Sequence, residues 1–357
     1  MAFETSADDT CAAVVTSDMK ILSNVVIKQT EIHAQFGGIQ PTNAVLAHQR
    51  NAPVAAKRAL VEAGLTIKDI DGIAFTKGPG MGVCLGVGSQ TAKAIAAIHD
   101  IPVVGVHHMQ GHALTALLTS QPNPPQFPFL ALLVSGGHNM LVLVKAADEF
   151  EIVANTLDTT VGRVLDKLTR ELGLGYTGQQ LEQFYTTCKA TPVVPEDFGP
   201  FGQPMLKRAW SFSAHHSHME RYMHKRQANG QPDLTDGERL GLIDRLMQAV
   251  GEHLTRPFRD VLMDLVARNI KVNDLVVGGG VASNLYLRRR IEQAARDRTA
   301  GQPGMRVHYP PPALCTDNAV MIAVASMHRF LKGDFDDLSC APNTKWSIED
   351  CKLTRVP

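Results

Sequence analysis

A proline-rich run at residues 121–128 interrupts this chain, and the sequence pattern found before it starts again after it. Proline lacks a backbone N–H and distorts regular structure, so the run predicts a break between two lobes. On each side, a strand-like apolar segment meets a small, polar or glycine-rich turn, at residues 4–10 and 135–137. Helical patterns follow in both halves. The sequence therefore predicts an α/β protein with two duplicated lobes, each opening with a β-meander.

The predicted lobes agree with the length of 357 residues, because single hydrophobic cores rarely grow beyond roughly 250 residues. We expect lobe I to span residues 1–125, joined by the return of a C-terminal helix region at about 318–345. The helix itself is expected at 318–332 and leads to a loose tail. Lobe II is expected at residues 126–317, with an irregular, Pro- and His-rich insertion at about 186–236. Few residues precede the first turn, which predicts a first strand cut or processed at its beginning.

The charge balance limits what the surface can bind. The chain has 35 Lys and Arg residues against 35 Asp and Glu, a formal net charge of +0. Because non-specific phosphate binding scales with the cations presented, any polyanionic partner must meet a local basic patch. No apolar run approaches the roughly 18 residues of a membrane-spanning helix, and no secretory signal is recognisable. The 6 cysteines form no C-x-x-C pair, which favours a reducing compartment or an organelle matrix.

Two histidines, His108 and His112, lie four residues apart in a segment predicted to be helical. Both imidazoles then leave the same helix face, as shared metal ligands require, although an ordinary polar face has the same spacing. Asp317 precedes an apolar helix, where it either caps that helix or completes a metal site of two histidines and one carboxylate. The pattern does not fit a zincin protease, because Met109 stands where that motif has glutamate.

Three turns of small residues, at 4–10, 135–137 and 278–280, suit close approach of backbone N–H groups to a phosphate. Each is equally typical of an ordinary connection between a strand and a helix. Asp158 and Asp166 are candidates for a ribose contact, with a solvated helix face as the alternative.

A basic segment interleaved with aromatic residues lies in the expected insertion. Its cations can pair with phosphates and its rings can stack on unpaired bases, whereas a solvated charged face is the alternative. The candidate residues for binding nucleic acid are Lys207, Arg208, Arg221, Lys225 and Arg226.

Seven motifs, in this order, resemble the tRNA N6-threonylcarbamoyladenosine synthase family over nearly the whole chain. They are ETSADDT at 4–10, HAQFGGIQP at 33–41, GPGM at 78–81, HMQGH at 108–112, VSGGH at 134–138, GGVASN at 279–284 and CTDN at 315–318. The resemblance implies an actin-like (ASKHA), two-lobed fold with the nucleotide between the lobes. Details at 38–44 look most like the fungal mitochondrial branch.

The resemblance also implies roles for residues at matching positions. His108, His112 and Asp317 match the ligands of one divalent metal ion, whether iron, zinc or manganese. The chain departs from the family pattern at 177–180, so the position of one adenosine-contacting glycine of the family falls on Gln179 or on Gly178. We favour Gly178, because close approach to a ligand needs glycine. The residues implied for nucleotide and substrate binding are Leu133, Val134, Ser135, Gly136, Gly137, Asp166, Gly178, Glu182, Gly279, Gly280, Ser283 and Asn284.

The implied activity is transfer of the threonylcarbamoyl group from L-threonylcarbamoyl-AMP to the N6 amine of adenosine 37 in tRNAs that read ANN codons, leaving AMP. A metal-polarised carbonyl and a proton acceptor, Asp8 or Asp9, would serve this reaction. The implied partners are tRNA, a nucleotide (the adenylate, AMP or ATP), a separate synthase that supplies the adenylate, and a second copy in a homodimer. The implied location is the mitochondrial matrix, with a role in mitochondrial tRNA modification and genome maintenance.

Two other classes stay open from the residues. One is an ATP-dependent kinase for small molecules with the same fold, which a phosphate-release assay distinguishes from a transferase that consumes a preformed adenylate. The other is a non-catalytic nucleotide-binding subunit, which the intact set of His108, His112 and Asp317 disfavours.

Overall fold

The computed structural model describes residues 1–34, 36, 38–202, 206–297 and 304–351. The chain forms two compact units. Unit 1 comprises Met1–Phe127, Val144–Glu151 and His308–Pro357, and unit 2 comprises Pro128–Leu143 and Ile152–Val307. Within the described residues, no helix combines the length and the apolar character that crossing a membrane requires.

Strands and helices alternate along most of the described chain. The strands are β1 (Ala2–Glu4), β2 (Thr10–Val15), β3 (Ile21–Ile27), β4 (Ile73–Gly78), β5 (Val103–His107), β6 (Phe129–Val134), β7 (Asn139–Ala146), β8 (Glu149–Thr156), β9 (Ala209–Trp210), β10 (Asp274–Gly278) and β11 (Arg306–His308). The helices are α1 (Thr30–Ala34), α2 (Pro41–Ala63), α3 (Gly82–His99), α4 (His108–Thr119), α5 (Val161–Glu171), α6 (Gly178–Thr187), α7 (Ser213–Ala228), α8 (Asp236–Thr255), α9 (Pro257–Ala267), α10 (Leu285–Arg296), α11 (Pro312–Cys315) and α12 (Ala319–Lys332).

The short strand β1 is central to a mixed sheet with the order β3-β2-β1-β4-β5. It pairs antiparallel with β2 and parallel with β4, while β2 pairs antiparallel with β3 and β4 parallel with β5. The first three strands are the β-meander expected from the sequence. Phe3, Ile73 and Phe75 of this sheet share a buried cluster with alanines of α2 and α3, whose small side chains let the helices lie close to the sheet.

The second sheet has the order β11-β10-β6-β7-β8-β9. Its run β8-β7-β6-β10-β11 repeats the order of the first sheet, and β10 lies parallel to β6 as β4 does to β1. Every residue of β6 and β10 is buried, as in central strands covered on both faces. The duplicated α/β architecture predicted from the sequence is confirmed.

The prediction of an irregular insertion at 186–236 was wrong in part, because the segment contains the 16-residue helix α7. Its high proline and histidine content hides a helix-periodic pattern. The side chains on its buried face recur every three or four residues and are His215, Met219, Tyr222 and Arg226. Just before α7, Trp210 is fully buried, and its Nε1 donates to the carbonyl oxygen of Leu254 at 3.1 Å.

The C-terminal helix matches the helix predicted at 318–332, which is the first part of the returning region of about 318–345. Helix α12 ends at Lys332, because Gly333 adopts a left-handed φ of 68° and its N–H bonds back to the last turn. A left-handed residue directs the chain away from the helix axis, so the remaining residues follow a separate path.

The segment after α12 is not the loose tail that the sequence predicted. Asp336 accepts a hydrogen bond from the Gly105 N–H at 2.7 Å and forms an ion pair with Arg329 at 2.8 Å. Farther along, the Asn343 N–H donates to the carbonyl oxygen of Lys77 at 2.8 Å. Residues 333–351 therefore form a C-terminal strap fixed to the first sheet.

Candidate functional site

The passage from β5 into α4 positions both histidines of the predicted metal site. The ring of His107 accepts a hydrogen bond from the Met109 N–H at 3.1 Å and so caps the helix that begins at His108. One turn later, His112 lies on the same face. His108 and His112 are 6% and 1% exposed, so unit 1 holds both rings in its interior.

Asp317 lies in the connection between α11 and α12. The cap of α12 is Asn318, whose Oδ1 accepts from the Met321 N–H at 2.9 Å, so Asp317 does not cap this helix. Instead, its Oδ1 lies 3.1 Å from Nε2 of His112 and 3.5 Å from Nε2 of His108. The structure therefore brings the three predicted ligands together.

These three residues fit a divalent metal ion. Their ligand atoms lie within 4.8 Å of one another, and the two imidazole rings stand at 86° with centroids 4.9 Å apart. Two imidazoles and one carboxylate suit iron, zinc or manganese and leave further coordination positions for a substrate oxygen or water. In the described part of the chain, Nδ1 of buried His112 has no hydrogen-bond partner, and its Nε2 faces Asp317.

A buried carboxylate that the sequence did not single out, Glu4, supports His108. Its Oε2 lies 3.2 Å from Nδ1 of His108 and also accepts from the Thr76 hydroxyl, while its Oε1 accepts from the Ser6 N–H at 2.5 Å. A carboxylate beside Nδ1 fixes the ring and leaves Nε2 as the ligand atom. The sequence signal that could have identified Glu4 is a glutamate at the end of an apolar strand. A carboxylate buried there needs a polar or charged partner, which indicates a site.

The charges in this cluster move two pKa values in opposite directions. Burial lowers the pKa of His108, but the carboxylates of Asp317 and Glu4 outweigh it and raise that pKa to about 9. Burial raises the pKa of Glu4, yet the positive charge and hydrogen bond of His108 hold it below its ordinary value. Without metal, an imidazolium therefore lies beside two carboxylates, and metal binding must displace its proton.

The turn between β1 and β2 carries Asp8 and Asp9, the two predicted proton acceptors. His48 of α2 fixes this turn, because its Nε2 bonds the carbonyl oxygen of Ala7 at 3.0 Å. Burial, followed by repulsion from Asp8 and Asp317, raises the pKa of Asp9 to about 7. Burial and Asp317 also raise the pKa of Asp8. A carboxyl group that titrates near neutral pH is suited to general-base work.

In unit 2, the predicted phosphate turn follows β6 directly. The Ser135 hydroxyl accepts from the Gly137 N–H at 3.1 Å, and the Thr160 hydroxyl donates to the carbonyl oxygen of Gly136 at 2.9 Å. A side chain at Gly162, in the first turn of α5, would place its Cβ 2.7 Å from the backbone nitrogen of Gly136. Glycine at this position therefore lets α5 pack directly against the turn.

The glycine motif after β10 packs against the end of β6. Gly279 has a φ of 93°, and a Cβ there would lie 2.3 Å from the carbonyl oxygen of Val134. The Ser283 hydroxyl donates to the carbonyl oxygen of Gly280 at 2.7 Å, closing a short helical turn. Leu133 and Val134 are fully buried, so the structure encloses both of these predicted contact residues within unit 2.

Four further predicted nucleotide residues are linked through the first turns of α6 and α10. Oδ1 of Asp166 accepts from the N–H of Gly178, the first residue of α6, at 2.8 Å. Oε1 of Glu182 accepts from the N–H of Leu285, the first residue of α10, at 2.7 Å. The side chain of Asn284 caps the same helix. These side chains thus occupy backbone N–H groups at the starts of α6 and α10.

Two candidate residues bind neighbouring elements of the fold instead. Oδ1 of Asp158 accepts from the Phe212 N–H at 2.9 Å, at the start of α7. Arg226, predicted to bind nucleic acid, is 8% exposed and bonds the Tyr222 hydroxyl at 3.1 Å and Glu238 at 3.4 Å. The prediction for Arg226 was wrong, because its guanidinium group joins α7 to α8 and does not face a partner.

The other basic candidates lie at the surface of unit 2. Lys207 and Arg221 are exposed. Arg208 and Lys225 are exposed as well, but each has an acidic neighbour that offsets its charge. The ion pairs are Arg208–Asp264 at 2.7 Å and Lys225–Asp197 at 3.8 Å.

Known proteins resemble this chain in sequence and in fold. The family model for tRNA N6-adenosine threonylcarbamoyltransferase (TsaD) matches residues 20–324. A protein of that name from Cereibacter sphaeroides is 38% identical over 98% of this chain and 94% of its own length. Among solved structures, HypF from T. kodakarensis has a TM-score of 0.55 at 13% identity, covering 93% of this chain and 48% of HypF.

A second solved structure, (R)-2-hydroxyglutaryl-CoA dehydratase component A from Acidaminococcus fermentans, has a TM-score of 0.50 at 13% identity, covering 92% of this chain and 96% of that protein. At such low identity these two likenesses show the fold alone. It is the actin-like α/β fold that the sequence motifs predicted.

Proposed function

This chain belongs to the tRNA N6-adenosine threonylcarbamoyltransferase family, and from that membership we propose how its residues divide the reaction. The enzyme transfers the threonylcarbamoyl group of L-threonylcarbamoyl-AMP to N6 of adenosine 37 in tRNA. That amine is a poor nucleophile, because its lone pair is delocalised into the purine ring. The reaction therefore needs an activated carbonyl, a held AMP leaving group and a proton acceptor. We assign the first and third tasks to unit 1 and the second to unit 2.

In unit 1, His108, His112 and Asp317 would hold the divalent metal ion. When bound, the ion supplies Lewis acidity that polarises a carbonyl oxygen. Glu4 fixes the His108 ring through Nδ1 and presents Nε2 as the ligand atom. The observation that carries this assignment is the meeting of three ligand atoms within 4.8 Å beside a buried carboxylate that orients one of them.

The proton acceptor is the carboxylate of Asp9, in the turn between β1 and β2. Its pKa of about 7 allows it to be ionised at neutral pH and still to hold a proton after the transfer. Asp8 has a raised pKa as well and lies beside it, and its charge contributes to the shift of Asp9.

In unit 2, the turn at 135–137 and the glycines at 279 and 280 offer backbone N–H groups to the phosphate of the adenylate. Asp166, Gly178, Glu182 and Asn284 would contact the nucleoside. Support comes from glycine positions that have no room for a side chain, since a Cβ at Gly162 or Gly279 would lie within 3 Å of the neighbouring turn or strand.

A homodimer is the assembly we propose, with α2 at its interface. Leu46, Val54 and Val61 are 59%, 49% and 68% exposed, and their spacing puts them on one face of α2. Exposed apolar side chains aligned on a helix are typical of protein contacts. Light scattering after gel filtration should report a dimer for the parent chain and a monomer for Val54→Glu.

The mitochondrial matrix is the location we propose, with mitochondrial tRNA as the substrate pool and a separate synthase as the source of the adenylate. The likeness of residues 38–44 to the fungal mitochondrial branch supports it. Immunofluorescence of the native protein together with a matrix marker tests the location.

The decisive experiment combines the purified chain with L-threonylcarbamoyl-AMP and unmodified tRNA, and quantifies the modified nucleoside by mass spectrometry. We expect product without any helper protein. His108→Ala and Asp317→Ala should each lower the rate by roughly 100-fold or more, because the carbonyl loses its activation. His99→Ala, which removes an exposed histidine of α3, is the matched control and should keep the parent rate. A parent-like rate for His108→Ala would refute the metal assignment.

A further inference from the structure

A second set of metal-binding side chains lies in unit 2, where α5 packs against α7. Glu171 is the last residue of α5, and His216 and Glu220 lie four residues apart on α7. Their ligand atoms lie within 4.8 Å of one another. We propose that Glu171, His216 and Glu220, here the α5–α7 cluster, bind a divalent transition metal ion such as Zn²⁺.

The helices bring donors of suitable chemistry to one place. His216 and Glu220 share one face of α7 because of their spacing, and Nδ1 of His216 lies 3.9 Å from Oε2 of Glu220. That separation is too long for a hydrogen bond, but it can be spanned by an ion with bonds of about 2 Å to each atom. Glu171 reaches the same point from α5, so one ion would join the two helices.

The imidazole of His216 has the burial expected of a ligand. Its side chain is 13% exposed, and its ring nitrogens form no hydrogen bond with other described residues. A largely enclosed imidazole without a hydrogen bond is unfavourable, and a bound ion would satisfy it.

The two carboxylates of the cluster also call for a cation. Glu171 and Glu220 lie close enough to repel each other, and within the described ranges no Lys or Arg forms an ion pair with either one. A divalent ion between them converts this repulsion into attraction. One imidazole and two carboxylates leave a position for water and favour ions of intermediate hardness over soft ones.

The α5–α7 cluster does not depend on the transferase reaction. Its residues lie in unit 2, whereas His108, His112 and Asp317 lie in unit 1. Its consequence would be structural, because an ion there anchors the end of α5 to α7, and α5 also carries Asp166.

Counting ions per chain tests the proposal. Metal-free full-length protein is dialysed to equilibrium against Zn²⁺, and bound zinc is measured by mass spectrometry. We expect two ions per parent chain, one for His112→Ala, one for His216→Ala and none for the double variant. His99→Ala should keep two, and circular dichroism verifies that each variant is folded. His216→Ala binding as much zinc as the parent chain would overturn the α5–α7 cluster, whereas His112→Ala doing so would overturn only the ligands of unit 1.

A thermal measurement supplies a second, independent test. Glu220→Gln removes a ligand and also one of the two repelling charges. Without metal, Glu220→Gln should therefore unfold at the same temperature as the parent chain or at a higher one. With Zn²⁺ present, Glu220→Gln should unfold at a lower temperature than the parent chain with Zn²⁺. A residue with only a packing role would lower the unfolding temperature equally in both conditions, and that result would contradict the proposal.

Discussion

Glu4 shows how one buried side chain sets the chemistry of another. Its two oxygens face three groups able to donate: the Ser6 N–H, the Thr76 hydroxyl and Nδ1 of His108. A carboxylate accepts from all of them, whereas an amide would turn an NH₂ group toward at least one donor. The requirement at position 4 is therefore for a pure acceptor, and not simply for a polar side chain of this size.

Replacing Glu4 by Gln should weaken metal binding in unit 1 by roughly 10–100-fold, the usual effect of losing a partner behind a ligating histidine. Thr76→Val is the matched control, because it removes one donor from the same carboxylate and keeps the contact with His108. Calorimetry gives the Zn²⁺ affinity of Glu4→Gln and of Thr76→Val. Both variants are made in a His216→Ala background, which removes zinc binding at the α5–α7 cluster. Equal affinities for the two variants would show that Glu4 only fills space.

Asp9 and Asp8 differ in their expected effect on transfer. Asp9→Asn should lower the single-turnover rate at saturating adenylate by roughly 10²–10⁴-fold, the contribution of a well-placed base, and should abolish the rise of the rate with pH near 7. Asp8→Asn should keep that rise and shift it to lower pH, because it removes one of the charges that raise the pKa of Asp9. The opposite pattern would assign the base to Asp8.

At this scale the sequence predicts residues that belong to local patterns and misses those that depend on distant partners. His108 and His112 share one helical turn, so their cooperation was predictable. Glu4 acts on His108 across 104 residues of chain, and no local spacing reports such a pair. Arg226 was misassigned for the same reason, since a guanidinium group looks exposed in a basic run until Glu238 is packed against it.

Among the elements, α7 differs most from its prediction, and its buried face explains an acid sensitivity. His215 of α7 is fully buried beside Phe201, Phe212 and His253. Burial, followed by His253, lowers the pKa of His215 from 6.5 to about 4. The unfolded chain therefore takes up this proton at a higher pH than the folded chain does, and the folded state loses stability as pH falls from about 6.5 toward 4.

His215→Phe should remove this sensitivity. Between pH 7 and pH 5, the shift of the His215 pKa is worth about 2 kcal/mol of unfolding free energy in the parent chain, and that part should vanish in the variant. A phenyl ring fits among the surrounding aromatic side chains, so the fold should persist. Urea unfolding at the two pH values gives the comparison, and an unchanged pH effect would rule out His215 as its source.

Strands were easier to predict than this helix. The apolar run at 129–134 coincides with β6, because a strand buried on both faces has a continuous apolar sequence. Helix α7 has polar and histidine side chains even on its buried face, so the contrast that marks an amphipathic helix is weak there.

The whole molecule has no net charge, which restricts where tRNA can bind. Arg226 is internal, and Arg208 and Lys225 are offset by acidic neighbours. Lys207 and Arg221 are therefore the members of the predicted basic segment with the most available charge. The two-lobed plan was predictable from the repeat in the sequence, whereas this cancellation of charges depends on tertiary contacts.

Neutralising Lys207 and Arg221 together should weaken tRNA binding and reduce the slope of log affinity against log salt by roughly 1–2, the change expected for two lost phosphate contacts. Arg226→Ala should instead lower the unfolding temperature and leave that slope as in the parent. Filter binding across a salt series measures both. A parent-like slope for the double variant would exclude this segment from the tRNA path.

The C-terminal strap has a consequence for how this molecule can change over evolutionary time. A methyl group at Gly78 would lie 1.8 Å from the carbonyl oxygen of Asn343, so the strap and this glycine must be inherited together. The family model matches residues up to 324, which leaves the strap outside it, yet the strap rests on a turn within that match. Moving the strap alone would not make alanine acceptable at 78, because the φ of 156° there also disfavours a side chain, so a lineage that loses this glycine must change both the strap and the turn.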